Sequence, residues 1–543
     1  MQCANGSSIL LYEPLSGLSL RTGENVDIAG ESGQPLWTIM LAMPSTPSRT
    51  GKRMSLDSTT CQAVAEEIPD GFALRYDRLG DEAPFRDIRL RVAFRREGSG
   101  FAVAATIHNG SDRWIIREFT APVLRGIDSC GADLLWPNGL GQRFTGCENL
   151  KQKGMFYPSG LMTMSWLALA RQERGLYLGS HDPAGGMRWF DVKHDHANRR
   201  IGYGVNHYPF CAPGAEWSMP EAVILPYTGD WHIAAQTYRT WFDRHGALLP
   251  QPAWVKGISG WLLAILKQQN GDVMWDYRTG IDRLCDICAE RGLNTLGLFG
   301  WAHGGHDSLY PEFIPDNLMG GRQALQDALA RARKRGIRTI LYAQGMIFDA
   351  STDFYRYEGN DVISLRENSE PHLSSIRKFN SSTPVAFAKA CSGAERWRQK
   401  LIQTAEQAHE LGADGILYDQ VGVYLPELCF SSSHRHATPA TAFAEERQAL
   451  MKAVSDHMRE IAPEFIVMTE GVFDTLLRTL HACHGWGFGA ISHPGHWPDE
   501  NDDPATAFPE LFRYTFPELV MTHRYPQPAL DRHNANYACV YGL

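Results

Sequence analysis

The segment Gly412-Ala-Asp-Gly-Ile-Leu-Tyr-Asp419 combines a glycine turn, a short apolar strand and a carboxylate at the end of that strand. A charge that closes an apolar run costs free energy unless the protein uses it. The segment Phe465-Ile-Val-Met-Thr-Glu470 repeats this pattern further along the chain. In parallel barrels the carboxyl ends of the strands hold the active site. The sequence therefore predicts that Asp419 and Glu470 lie at neighbouring strand ends and face one cleft.

From residue 253 onward, apolar strands alternate with amphipathic helices, which is typical of a parallel sheet. Glycines at 292, 336 and 412 follow three of the helices, and we expect them to cap these helices in the left-handed conformation. Eight candidate strands favour a closed (β/α)8 TIM-like barrel. These candidate strands are Val255–Leu263, Thr295–Phe299, Thr339–Tyr342, Gly415–Tyr418, Phe465–Met468, Gly489–Ser492, Leu519–Thr522 and Ala538–Tyr541.

The first 230 residues show a different pattern, in which short alternating strands are separated by Gly, Asp and Ser clusters. The chain is therefore predicted to be multidomain, with an N-terminal β-sandwich at 1–230, a linker helix at 231–252 and the catalytic barrel at 253–543. The last candidate strand ends close to Leu543, so either the barrel closes irregularly or the chain stops short of a C-terminal domain.

Composition excludes several classes of partner. A net charge of −9 argues against nucleic acid or an anionic membrane as the main partner. No apolar run reaches the roughly 18 residues of a membrane span, and no export signal is visible. Eleven scattered cysteines indicate reduced, mostly buried thiols, so we expect a cytoplasmic protein. Self-association is left open. No cofactor is expected.

Two carboxyl groups on neighbouring strands suit the hydrolysis of a glycoside. One group protonates the leaving oxygen, and the other attacks the sugar or activates water. We assign Asp419 as the nucleophile and Glu470 as the general acid/base. The alternative is that one of the two is a structural carboxylate that binds a neighbouring loop.

Aromatic and polar residues around the predicted strand ends are candidates for binding an oligosaccharide or glycoside. Tryptophans could stack on a pyranose ring or simply close the barrel, and the polar residues could bind sugar hydroxyls or order loops. The candidate substrate-binding residues are Trp261, Trp301, His303, His306, Asp307, Asp349, Tyr418, Gln420, His434, His436, His493, His523 and Arg524.

The histidines also allow a metal site, with His303 and His306 or His434 and His436 as conceivable ligands. No His-Glu-x-x-His motif is present, however, and donors to sugar hydroxyls explain the same residues. We therefore assign no metal ligands.

Several segments resemble a family of bacterial TIM-barrel proteins regarded as glycoside hydrolases and distantly similar to α-galactosidase, α-amylase and endo-α-N-acetylgalactosaminidase barrels. The resemblance rests on 412–420, on Leu428-Cys-Phe-x-x-x-His434-x-His436, on Thr469-Glu470-Gly, on 175–182 and on 512–518. It implies α-linked substrates and retention of configuration. It also implies a nucleophilic aspartate after the fourth strand and, as in the amylase-like group, an acid/base glutamate after the fifth. The aspartate that α-galactosidases use after the sixth strand has no convincing counterpart in this sequence.

Two alternatives come from other functional classes. A non-catalytic carbohydrate-binding protein would keep the barrel and the aromatic cleft without using the two carboxylates. A metal-dependent hydrolase or isomerase would use the histidine cluster instead.

Overall fold

The computed structural model describes residues 2–5, 8–13, 17–22, 26–29, 35–45, 51–147, 150, 152–378, 381–485, 506–522 and 539–540. These residues form two compact units. The first contains the described residues up to 246 together with 506–517, and the second contains 247–485 together with 518–522 and 539–540. The division falls within the predicted linker region.

The first unit is built from antiparallel strands, as predicted for a sandwich. Its strands are β1 (Gln2–Asn5), β2 (Ser8–Glu13), β3 (Gly17–Thr22), β4 (Val26–Ala29), β5 (Thr38–Ala42), β6 (Arg53–Asp57), β7 (Val64–Ile68), β8 (Gly71–Tyr76), β9 (Ile88–Glu97), β10 (Gly100–Asn109), β11 (Ile115–Asp128), β12 (Asp133–Trp136), β13 (Gln142–Phe144), β14 (Gln152–Tyr157), β15 (Trp166–Ala170), β16 (Arg174–His181), β17 (Arg188–Asp195), β18 (Arg200–His207), β19 (Glu216–Ser218) and β20 (Glu221–Thr228).

Two large sheets of this unit share one apolar core. One sheet has ten strands in the order β13-β12-β15-β16-β20-β10-β9-β8-β7, with β19 beside β10, and the other has six in the order β14-β17-β18-β11-β5-β6. Trp37 packs between them, with its ring centroid 5.3 Å from that of Tyr76 on β8 and 6.3 Å from that of Phe119 on β11. Strands β1–β4 form a separate four-stranded sheet.

Helix α1 (Trp231–Arg244) belongs to the first unit. The Asp230 carboxylate caps it by accepting a hydrogen bond from the His232 amide. Its buried face includes Tyr238 and Phe242, which follow the helical period. A short helix, Glu510–Thr515, packs beside α1 in the same unit.

The second unit is a parallel β/α half-barrel that resembles a TIM barrel. Seven parallel strands follow one another in chain order within the described residues. They are β21 (Trp261–Ile265), β22 (Thr295–Phe299), β23 (Arg338–Gln344), β27 (Gly415–Asp419), β28 (Ile466–Glu470), β29 (Ala482–His484) and β30 (Val520–Thr522), and a small antiparallel sheet in the loop after β23 contains β24 (Ile347–Asp349), β25 (Leu373–Ile376) and β26 (Val385–Lys389).

Amphipathic helices join the parallel strands. They are α2 (Gly280–Arg291), α3 (Gly321–Lys334), α5 (Glu395–Glu410) and α6 (Glu445–Ile461). The shorter α4 (Asp353–Glu358) lies in the loop after β23. The helix Glu510–Thr515 of the first unit is α7. The predicted glycine caps are confirmed, because Gly292, Gly336 and Gly412 have φ values of 69°, 76° and 97°. None of the helices in the described part of the chain combines the length and the apolar character that a membrane crossing requires.

Two strand predictions need correction, and a third lies outside the described residues. The first strand begins at Trp261 because residues 253–257 form a 3-10 helix. A sixth parallel strand lies at 482–484, and the predicted strand at 489–492 is outside the described residues. Of the predicted eighth strand, only Cys539 and Val540 are described, and both are helical.

The register of the parallel strands arranges the barrel interior in rows. Ile340, Gly415 and Ile466 pair with one another in one row. Two residues later, Tyr342, Leu417 and Met468 form the next row. Since side chains alternate between the faces of a strand, these residues all point to one side. Tyr418 points to the other side, because its hydroxyl donates a hydrogen bond to the Leu401 carbonyl on α5. Asp419 therefore faces the barrel interior.

Gly297 on β22 makes room in this interior for the indole of Trp261. A Cβ atom at Gly297 would lie 2.1 Å from the Trp261 ring. We expect Gly297→Ala to lower the free energy of unfolding by about 1–3 kcal/mol, because the ring must shift within a packed interior. Urea unfolding followed by tryptophan fluorescence would measure this change. Gly257→Ala is the matched control, since its Cβ would meet nothing within 4 Å. Equal unfolding midpoints for the two variants would contradict the packing described.

Candidate active site

Polar residues form one row at the carboxyl ends of the parallel strands. Gln344 on β23 pairs with Asp419 on β27, and Glu470 on β28 pairs with His484 on β29, which in turn pairs with Thr522 on β30. Tyr418 pairs with Thr469, so Asp419 and Glu470 are the next residues on adjacent strands. The predicted juxtaposition of the two strand ends is therefore present, and both side chains share the interior face.

Asp419 is held by donors from strand β23. Its Oδ2 accepts a hydrogen bond of 2.7 Å from the Tyr342 hydroxyl and one of 3.2 Å from the Gln344 amide nitrogen. The residue is 9% exposed. Among the residues that the structure describes, no donor contacts Oδ1. One carboxylate oxygen is thus fixed, and the other is available to a ligand.

Glu470 is half-buried, and its carboxylate turns back toward the neighbouring strand end. Its Oε2 accepts a hydrogen bond of 3.3 Å from the backbone N–H of Gln420. Gln420 has a φ of 69°, a left-handed conformation that few non-glycine residues adopt. Its buried side-chain oxygen Oε1 has no hydrogen-bond partner among the described residues. Backbone strain of this kind is common at ligand sites.

A third acidic residue, Asp307, lies in the loop after β22 and forms an ion pair with Lys378. The Lys378 ammonium is 2.5 Å from Asp307 Oδ2, and His306 Nε2 is 3.7 Å from the same oxygen. Burial alone would raise the pKa of the Asp307 carboxyl, but the charges of His306 and Lys378 outweigh it and lower that pKa. Asp307 is therefore ionised at neutral pH.

The pKa of Lys378 responds to all three carboxylates. Burial alone would lower the pKa of Lys378, but Asp307 first, and then Asp419 and Glu470, raise it above the ordinary value. The ammonium therefore stays charged at neutral pH. The dependence on Asp419 and Glu470 indicates that both carboxylates lie within electrostatic range of one cation.

Two buried tyrosines connect Asp307 with Asp419. Burial, followed by the charge of Asp419, raises the pKa of Tyr342 well above its ordinary value, and burial with Asp307 does the same for Tyr310. Both hydroxyls therefore remain protonated. Tyr342 can act as a permanent hydrogen-bond donor to Asp419, and the Tyr310 hydroxyl accepts a hydrogen bond of 2.6 Å from the Asp307 amide.

Two predicted substrate-binding residues prove to be packing residues. Trp301 is 1% exposed, and its indole N–H donates to the Tyr342 carbonyl at 2.8 Å, so no face is open to a sugar. Its ring stacks on Phe313 instead. Tyr418 is fully buried and points toward α5, because the strand alternation that turns Asp419 inward turns Tyr418 outward.

The other described candidates lie at several places around the barrel mouth. Trp261 is half-buried and stacks on His484, with ring centroids 5.4 Å apart. His303 is half-buried, and its Nδ1 has no partner among the described residues. Both Asp349 oxygens accept protein donors, from Ser351 on one side and from the Leu309 amide on the other, so this carboxylate orders its loop.

His434 and His436 lie beside two buried cysteines, Cys391 and Cys429. The sequence predicted that these two histidines lie near the cleft, but it did not predict that the two cysteines lie beside them. The predicted residues His493, His523 and Arg524 are outside the described residues.

Sequence reasoning missed Tyr342, Gln344 and Lys378. Gln344 had a usable signal, since a polar residue directly after the apolar run of the third strand repeats the pattern of Asp419. Tyr342 looks like any aromatic strand residue. Lys378 lies in a long loop without periodicity, so no local pattern indicates that it reaches Asp307.

The fold and the row of polar residues define a barrel protein of TIM type with a candidate active site at its strand ends. Residues 218–496 match the family described as "Domain of unknown function (DUF6259)". This match covers just over half of the 543 residues. The chain therefore belongs to the DUF6259 family.

Comparison with curated proteins gives one related sequence. A protein from Bacteroides thetaiotaomicron named "Putative glycoside hydrolase" is 22% identical over 368 residues, which are 66% of this chain and 52% of the relative. The chain thus spans about half the length of that relative.

Solved structures share the fold. The alpha-N-acetylgalactosaminidase NagBb from Bifidobacterium bifidum, in complex with GalNAc, superposes with a TM-score of 0.72 at 14% identity, covering 95% of this chain and 83% of that one. The GH36 alpha-galactosidase AgaA from Geobacillus stearothermophilus gives a TM-score of 0.53 at 10% identity, covering 100% of this chain and 86% of that one.

The Asp307–Lys378 pair gives a testable pH dependence of stability. The depressed pKa of Asp307 stabilises the fold above the unfolded value of about 3.9, and this stabilisation is lost as the pH falls through the folded pKa. The raised pKa of Lys378 stabilises the fold below about pH 10.4, and this is lost as the pH rises through the folded value. The pair is therefore intact between these limits.

We expect Lys378→Met to lower the free energy of unfolding at pH 7 by about 1–2 kcal/mol. This is less than for a fully buried pair, because the Lys378 side chain is 39% exposed. Chemical unfolding at several pH values should show the deficit shrinking below about pH 4. Lys452→Met removes an exposed helical pair with Asp456 and should change little. A deficit that persists undiminished into acid would contradict the ion-pair origin.

Proposed function

We propose that the protein is a glycoside hydrolase that cleaves α-linked sugars with retention of configuration. In this proposal Asp419 is the nucleophile and Glu470 is the general acid/base. The observation that carries the proposal is the position of the two carboxylates on adjacent, in-register strand ends with their side chains on the same face.

The register favours a close pair of carboxylates. Neighbouring strands lie about 4.8 Å apart, and the Glu470 carboxylate turns toward the residue that follows Asp419. Retaining glycosidases keep their two carboxyl groups about 5–5.5 Å apart, whereas inverting enzymes need roughly 6.5–9.5 Å to admit a water molecule. An adjacent pair on one face fits the shorter separation, which supports retention.

Asp419 has the environment that a nucleophile needs. Tyr342 and Gln344 donate hydrogen bonds to Oδ2, which fixes the orientation of the carboxylate. Oδ1 is then directed to the anomeric carbon and forms the bond to the sugar as the glycosidic C–O bond breaks. The leaving oxygen takes its proton from Glu470. In the second step, Glu470 removes a proton from water, whose oxygen displaces Asp419.

The charge balance of the site supports the same chemistry. Asp307 forms an ion pair with Lys378, and the charges of Asp419 and Glu470 also raise the pKa of this lysine, so three carboxylates lie within electrostatic range of one ammonium. A site of net negative charge stabilises the positive charge that develops on the sugar ring in an oxocarbenium-like transition state. The Asp307–Lys378 pair and His306 also present charged and polar groups that can bind sugar hydroxyls.

The substrate class follows from the proteins with the same fold. NagBb is an alpha-N-acetylgalactosaminidase and AgaA is an alpha-galactosidase, and both names refer to α-linked galactose-type sugars. Aryl α-galactosides and aryl α-N-acetylgalactosaminides are therefore the first substrates to test, within a wider panel of aryl α-glycosides.

Asp419→Asn should lower kcat on the best substrate of that panel by on the order of 10⁴-fold, because the covalent step loses its nucleophile. Asp419→Gly with added azide should regain turnover and release a β-glycosyl azide, since azide then attacks from the face that Asp419 occupied. Turnover and the configuration of the product are measured by absorbance and by NMR.

Glu464→Gln is the matched control, because Glu464 lies exposed just before the amino end of β28, the strand that carries Glu470. It should retain the activity of the unmodified protein. Unchanged turnover in Asp419→Asn would refute the assigned nucleophile. Sugar binding by a protein that hydrolyses no member of the panel would identify a non-catalytic carbohydrate-binding protein instead.

Glu470→Gln should show a loss that depends on the leaving group. We expect kcat/KM to fall by about 10²–10⁴-fold for glycosides with a poorly acidic leaving group, because that oxygen needs a proton. A dinitrophenyl glycoside, whose leaving group needs no proton, should be far less affected in the first step. Equal losses for both substrates, measured side by side, would argue that Glu470 is not the acid.

A further inference from the structure

The most prominent feature that the proposed function does not use is a cluster of two cysteines and two histidines in the second unit. One ligand atom from each of Cys391, Cys429, His434 and His436 lies within 4.8 Å of the other three. Both cysteines are fully buried, His434 is 9% exposed and His436 is half-buried. Both cysteines are free thiols rather than a disulfide.

We propose that these four residues bind a structural zinc ion. Two cysteines with two histidines are a common ligand set for tetrahedral Zn²⁺. In such a site, bonds of about 2.3 Å to sulfur and 2.0–2.1 Å to nitrogen place neighbouring sulfur and nitrogen ligands about 3.5 Å apart. Cys429 Sγ and His434 Nδ1 are separated by 3.5 Å.

Unpartnered ring nitrogens are a second observation that points to a ligand. Both nitrogens of His436 are buried and have no hydrogen-bond partner among the described residues. Buried polar atoms in folded proteins are nearly always partnered. An ion bound to one nitrogen of His436 would give that nitrogen the partner that it lacks among the described residues.

The backbone around the cluster holds the ligands from two different loops. Cys391 follows β26 in the loop after β23, and the Cys429-x-x-x-x-His434-x-His436 segment lies in the loop after β27. The Arg435 amide donates to the Gly393 carbonyl at 2.9 Å, which joins the two loops beside the ligands. A Cβ atom at Gly393 would lie only 3.2 Å from His436, so glycine permits this approach.

Four protein ligands leave no open coordination position, which is the arrangement of a structural rather than a catalytic zinc. The ion would join the loop after β23 to the loop after β27. The former loop carries Lys378 and the latter carries Gln420, so the ion would fix two loops that contribute to the candidate active site.

Metal content of the purified protein tests this proposal without reference to any activity. Protein expressed in zinc-supplemented medium and purified under reducing conditions should contain about one zinc per chain by elemental analysis. A thiol-specific mercurial should release that zinc to a chromogenic indicator, because the ion is held by thiolates. Zinc below a tenth of an equivalent in folded protein would overturn the proposal, as would a Cys391–Cys429 disulfide found by mass spectrometry without reductant.

Variants identify the ligands. His436→Gln, at the least buried ligand, and Cys429→Ala should each reduce bound zinc at least fivefold. The matched control is Cys288→Ala, since Cys288 lies near Cys285 on α2 as a second pair of buried free thiols without histidines, and it should keep its zinc. Retention of zinc by both ligand variants would overturn the assignment.

Replacement of the bound metal by Co²⁺ tests the ligand set without any substitution, so it remains informative if a variant fails to fold. The otherwise unmodified protein should develop the intense visible absorption and the sulfur-to-cobalt charge-transfer bands of a tetrahedral thiolate site. The weak spectrum of octahedral oxygen coordination would exclude these four ligands.

Discussion

The pairing register of the parallel strands is the constraint on which the candidate site depends. Successive residues of a strand point to opposite faces, so a slip of one residue would exchange the inward and outward sets. In the observed register the Tyr418 hydroxyl bonds to helix α5, and Asp419 therefore points into the barrel. This register needs a glycine at position 415. A Cβ atom there would lie 2.5 Å from Ile466 on the next strand. Packing around Gly415, at the start of β27, thus helps to position Asp419 at the end of the same strand.

A carboxylate in that position needs partners before any ligand arrives. Removal of a charge from water costs several kcal/mol unless hydrogen bonds or opposite charges compensate. Tyr342 and Gln344 provide hydrogen bonds to Asp419, and Lys378 provides the opposite charge for Asp307. The donors to Asp419 come from the neighbouring strand rather than from a loop, so their positions are as rigid as the sheet. Groups held in this way need little reorganisation when charge develops on a substrate.

The sequence predicted most of the framework of the second unit, because local patterns determine it. Apolar runs predicted the positions of β22, β23, β27 and β28 to within two residues, and glycines marked the helix ends. The two strand-end carboxylates could be found for the same reason. The start of β21 was missed because Trp254 and Val255 are apolar residues of a 3-10 helix and resemble a strand.

Side-chain roles beyond the strand ends could not be predicted, because they depend on contacts between distant segments. Trp301 is a candidate for stacking on a sugar from its sequence position, but whether its indole is open or buried depends on contacts with Phe313 and Tyr342. Likewise Lys378 reaches Asp307 across 71 residues of sequence (378 − 307). A loop has no periodicity from which such a contact could be predicted. The acidic residues at the strand ends could therefore be predicted from the sequence, but Lys378 could not.

Side-chain interactions join the two loops that carry these distant contacts. The loop after β23 contains the small sheet β24–β26, and Lys389 and His372 from this loop contact Glu427 in the loop after β27, at 2.6 Å and 3.2 Å. Arg435 adds an ion pair with Glu395. Ion pairs of this kind are individually weak where water reaches them. Four metal ligands drawn from the same two loops would supply a stronger and more directional constraint. Lys378 and Gln420 lie on these loops, and binding sites in general need their groups held to within about 0.5 Å, so the order of these loops limits the precision of the candidate site as much as the barrel does.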